Sequence, residues 1–120
     1  MSGVQREPRF YSEHDRLAQL RSFAEGCAGA ADVFTQHGAP DLGRAHRSLA
    51  DAANALRGGA FTGPDLRDLA RSLPDRPPWL HPKFHDYQGP REPWQDKAAM
   101  HVEQAESAGL ELRSLATYDE

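Results

Sequence analysis

Hydrophobic positions recur along this chain at spacings of three and four, the period of a helix with one face turned inward. Leu17, Leu20, Ala24, Cys27, Ala31 and Phe34 form the first such stripe. Ser12 is a suitable cap ahead of it, and Asp15 lies near the positive end of the helix dipole. His37-Gly38 and Pro40 mark its end. A second stripe, Leu42, His46, Leu49, Ala53 and Leu56, starts at Pro40 or Asp41 and stops at Gly58-Gly59. The link between the two is so short that the pattern predicts an antiparallel hairpin, and its many alanines predict close approach of the two backbones.

A third, shorter helix is announced by Thr62 and Asp65 at capping-box spacing, with Phe61 placed to staple against Leu66. Leu66, Leu69, Ala70 and Leu73 give it an apolar face, and Pro74 ends it. The last helix is predicted from Pro93 to about Ala116, with Trp94, Ala98, Val102, Ala105, Gly109, Leu112 and Ala116 inside and Leu115 at the edge of the packing. Asp96, Lys97, Glu103, Glu106 and Arg113 mark its outer face.

Between these helices, residues 74–92 carry prolines at 74, 77, 78, 82 and 90 together with Trp79, Leu80, Phe84 and Tyr87. So much proline forbids a regular helix, while the aromatic content argues for an ordered connector lying across the helices. The expected fold is therefore all-α: a small antiparallel helical bundle of three long helices and one short, with a Pro/aromatic-rich connector before the last. Residues 1–11 are expected to be a flexible N-terminal arm, residues 12–117 a single domain, and the last three residues a loose tail.

Composition agrees with helices. Isoleucine is absent, valine occurs only at Val4, Val33 and Val102, and hydrophobic residues make up 38% of 120 residues, enough for one core. The single cysteine, Cys27, excludes an internal disulfide, and the first residues lack the apolar stretch of a secretory signal, so a cytoplasmic location is expected. No run approaches the roughly 18 apolar residues of a membrane span. Arginine far outnumbers lysine, a bias typical of GC-rich bacterial coding. The net charge of −4 is concentrated in the C-terminal third. That distribution argues against nucleic acid as a partner and for a partner with basic surface.

Several groups of residues bear on chemistry. His81, His85 and Asp86 could ligate a metal or relay a proton, although Pro82 interrupts the helical spacing and no Cys or His-Glu-x-x-His pattern completes a site. His101, one turn before Ala105 with Glu103 and Glu106 nearby, could join a His/carboxylate assembly, yet no Glu-x-x-His motif is present. His46 and Cys27 fall on inner stripes and read as core residues. The arginines from Arg44 to Arg76, including Arg67 and Arg71, suggest a helix-turn-helix, but Asp41, Asp51, Asp65, Asp68 and Asp75 interleave with them.

The remaining group is Trp79, Phe84, Tyr87, Arg91 and Trp94, residue types that anchor protein interfaces. With no catalytic motif and no cofactor expected, the reading is a non-enzymatic interaction protein: an adaptor, immunity-type inhibitor or regulatory subunit that binds a protein partner through the connector and the acidic last helix. A homodimer is compatible with the same pattern. The rival is a small-molecule or metal-binding helical protein using His81, His85 and Asp86, and a third reading is a helix-turn-helix regulator.

Overall fold

A computed structural model describes the main chain of residues 3–77, 80 and 92–116, with side chains from His14 onward within those ranges. Four helices account for nearly all of it: α1 Gly3–Gln36, α2 Pro40–Arg57, α3 Gly63–Arg71 and α4 Pro93–Ala116. Among the described residues there is no strand.

The helix ends follow from local chemistry. Gly38 takes φ 85°, the left-handed conformation that lets the Ala39 N–H reach back to the Phe34 carbonyl at 2.9 Å and close α1. Pro40 then opens α2 at a position where a missing N–H loses nothing. At α3 the expected capping box is formed: the Asp65 N–H donates to the Thr62 hydroxyl at 3.3 Å and the Thr62 N–H to the Asp65 carboxylate at 2.9 Å. At α4 the Gln95 side chain accepts from the Glu92 N–H at 2.8 Å, a similar reach from the third helical residue to the cap.

One helix boundary differs from the sequence reading. The first helix was expected to start at Ser12, whereas α1 already runs from Gly3. Gln5, Arg6 and Glu7 are good helix formers, and Pro8, the sixth residue of α1, forgoes its own main-chain hydrogen bond.

The packing explains which α1 residues are buried. Leu20, Ala24, Cys27, Ala31 and Phe34 are buried as expected, but so are Phe23 and Ala30, while Leu17 is 39% exposed and Arg16 takes the inward place beside it. A single stripe suits a helix with one neighbour. Here α1 has two, α2 on one side and α4 on the other. Against α2, Phe34 meets the His46 ring at 5.2 Å and Asp32 pairs with Arg47. Against α4, the His37 ring stacks on Trp94, the Gln104 amide donates to the Ser22 carbonyl at 3.1 Å, and Arg16 donates to the Leu115 carbonyl at 2.8 Å. In both sets the residue numbers rise on one helix as they fall on the other.

Two apolar clusters fill the interior. The larger joins Phe23 and Cys27 of α1, Leu49 and Ala53 of α2, Leu66 and Leu69 of α3, and Ala105 and Leu112 of α4. The smaller joins Val33 and Phe34 with Leu80, Ala98 and Val102. Glycine sets the spacing of α1 and α4: a Cβ added at Gly26 would lie 2.7 Å from the Ala105 nitrogen and 2.8 Å from the His101 carbonyl oxygen. The two backbones are in contact there.

Candidate functional site

The connector leaves α3 under tight control. Leu80 is buried in the smaller cluster, its N–H donating to the Pro77 carbonyl at 2.9 Å. Arg76 donates from Nη1 to the Leu80 carbonyl at 2.6 Å and from Nε to Glu106 of α4 at 2.8 Å, with a second nitrogen on the other Glu106 oxygen. This partly buried fork raises the Arg76 guanidinium above its ordinary range, chiefly through the hydrogen bond to Glu106. The start of the connector is thus clamped to α4.

Of the five residues expected to bind a partner, Trp79, Phe84, Tyr87 and Arg91 lie outside the described residues, as do His81, His85 and Asp86 of the expected metal cluster. Trp94 is described. It is half-buried against the smaller cluster, and its indole lies parallel to the His37 imidazole, centroids 4.8 Å apart and planes within 4°. Among the described residues no group of three His, Cys, Asp or Glu side chains could hold a metal ion.

The stacked rings form one end of an open cleft of about 580 Å³ between the last turns of α1 and the first turns of α4, bounded also by Gly29, Asp32, Lys97 and His101. Gly29 makes room for the His101 ring: a Cβ there would lie 2.3 Å from Nδ1. Lys97 stands exposed one turn before His101 on the same face of α4, and Asp32 across the cleft is held by Arg47. The sequence reading took His37 only as part of a helix end and did not mark Gly29. A glycine in mid-helix is the signal that points to such a site, because it weakens the helix by about 1 kcal/mol relative to alanine unless close packing requires it.

On the far side of α4 the surface has a different character. Met100 and Leu110 are 64% and 65% exposed. Asp96, Met100, Glu103, Ser107 and Leu110, all exposed, follow one another at steps of four and three and form a single outward stripe, with Glu111 beside it. The sequence reading took the acidic part of this face and passed over its two apolar residues.

The other candidates occupy ordinary places. Cys27 is fully buried, and desolvation pushes its thiol up to about 12, so it stays protonated and unreactive. His46 is buried, Nδ1 lies 2.8 Å from the Leu42 carbonyl, and desolvation holds the ring below its usual value. Arg44 and Arg47 of the supposed basic ridge pair with Asp41 and Asp32, and α3 turns Leu66, Leu69 and Ala70 into the protein. No described helix is long and apolar enough to cross a membrane. Comparison with protein families, curated proteins and solved structures finds no match for this chain.

Proposed function

We propose that this protein is a non-enzymatic interaction protein, an antiparallel helical bundle that binds a protein partner with basic surface through the outward face of α4 and the adjoining connector in the cytoplasm. The order of contacts along α1 supports the bundle arrangement, since residues near the end of α1 meet the beginnings of both α2 and α4. The observation that carries the function is the outward stripe of α4, where Met100 and Leu110 stand in solvent among Asp96, Glu103 and Glu111. Apolar side chains with an acidic surround suit a partner that contributes apolar contacts inside a basic rim. Two exposed side chains are themselves common on a protein surface; their shared stripe on the acidic helix is what singles them out.

Crosslinking in the native host, followed by identification of the attached protein, tests this directly. Met100→Glu and Leu110→Glu should abolish one specific crosslinked species while leaving the helical circular dichroism unchanged. A crosslinking pattern untouched by both substitutions would remove the α4 face from consideration.

A further inference from the structure

The cleft between α1 and α4 has a composition unlike that of the α4 outer face, and it stands independently of the reading above. Its volume lies within the range of small-ligand sites. One end is aromatic, the parallel His37 and Trp94 rings. Its α4 side presents Lys97 and His101 at a spacing of four, and no other described residue takes up the Lys97 ammonium. The one carboxylate in the cleft, Asp32, already has Arg47 as its counter-charge. An ammonium beside flat rings, with the local carboxylate already paired to Arg47, suits a flat anion.

We propose that this cleft binds a small planar aromatic carboxylate, its carboxylate on Lys97 and His101 and its ring beside the His37–Trp94 pair. Gly29 is a positioning residue for the site: with no side chain of its own, it lets the His101 ring lie against α1 with Nδ1 in the space a Cβ would fill. The ligand makes no bond and undergoes no reaction in this scheme.

Benzoate is the probe. Calorimetric titration of the unaltered chain should give a dissociation constant of about 1 mM, as suits a fragment of this size, with benzamide and acetate each at least about tenfold weaker because one lacks the charge and the other the ring. In a Trp79→Phe chain, which leaves Trp94 as the only tryptophan of the two, benzoate should change the fluorescence with the same midpoint. Lys97→Gln and Gly29→Ala should each weaken benzoate about tenfold with the melting curve preserved. Equal affinity for benzamide, unchanged affinity in the Lys97→Gln protein, or no heat at about 10 mM benzoate would each overturn the assignment. Because Leu110 lies more than two turns of α4 away from Lys97 and His101 and outside the cleft lining, benzoate binding in the Leu110→Glu protein separates failure of this site from failure of the α4 face.

Discussion

Two alanine substitutions, three residues apart on α1, should have opposite consequences, and distance alone predicts them the wrong way round. A Cβ at Gly29 would come within 2.3 Å of its nearest neighbour, closer than the 2.7 Å at Gly26. The neighbour at Gly29, however, is the half-exposed ring of His101, which can rotate away. At Gly26 the neighbours are the Ala105 nitrogen, the His101 carbonyl oxygen and the Ala105 Cα, all main chain of α4. Relief there requires the two helices to separate by roughly 1 Å, which loosens the dispersion contacts of the clusters on either side. Overpacking of this kind costs about 1–3 kcal/mol, and with no rotamer free to move the upper end applies; about 1 kcal/mol of better helix propensity offsets part of it. Gly26→Ala should therefore destabilise by about 2 kcal/mol, a fall of roughly 10 °C in Tm for a chain of this size. Gly29→Ala gains the same propensity and loses only the packing of one mobile ring, leaving stability within about 0.5 kcal/mol of the parent. Urea unfolding followed by circular dichroism measures both, with the denaturant slope as a check that the unfolding transition is unchanged. If Gly29→Ala proved the more damaging, or Gly26→Ala were neutral, the close contact of the α1 and α4 backbones would be wrong.

Cys27, buried and with its thiol pushed up to about 12, should resist a disulfide exchange reagent at about pH 8 in the native protein and react fully in denaturant; rapid native labelling would show that α1 is not packed as described. His46 has a lowered folded-state value, so its contribution to stability is complete above the ordinary 6.5 and is lost as pH falls from there through the folded value. The parent should consequently lose more stability than His46→Leu between pH 6.5 and about pH 5, and parallel pH profiles for the two would contradict the burial of the ring. Arg16 is 5% exposed and caps the Leu115 carbonyl at the end of α4. Arg16→Met should cost about 2 kcal/mol and speed amide hydrogen exchange in the last turn of α4 above all, whereas uniform loss of protection would assign Arg16 to general packing.

Helix ends were legible in the sequence because caps act within four or five residues. Thr62 with Asp65, Gly38 before Pro40, and Pro93 all do in the structure what their spacing predicts. Burial on α1 was half legible. The stripe from Leu20 to Phe34 gives the side shared by any helix hairpin, but Phe23 and Ala30 are buried because α4, which begins far along the chain, takes the second side. The start of α1 was placed too late because Ser12 offered a suitable cap, whereas the helix already runs from Gly3. The cleft was barely legible: Trp94 stood out by its type, yet its stacking partner His37 sits at a helix end where it served only as a stop signal, and Gly29 contributes by being absent from the space that His101 fills.

The geometry of α4 also explains how one helix can carry two independent surfaces. Its 24 residues turn Ala98, Val102, Ala105 and Leu112 into the interior, where α1 sets their depth through Gly26. Lys97 and His101 lie along one margin of that buried strip, facing the cleft. Met100 and Leu110 lie on the outward stripe: at about 100° per residue Met100 is about 100° around the axis from His101 and about 60° from Lys97, whereas Leu110 is about 180° from His101 and about 140° from Lys97. Leu110 and His101 thus belong to different surfaces, while Met100, one turn from Lys97, borders both. A substitution at Leu110 changes one surface, one at His101 changes the other, and neither alters the main chain beneath, so the effects of Leu110→Glu and His101→Ala on binding should add. Strong coupling between the two would mean that a single ligand spans the margin of α4 and reaches both faces at once.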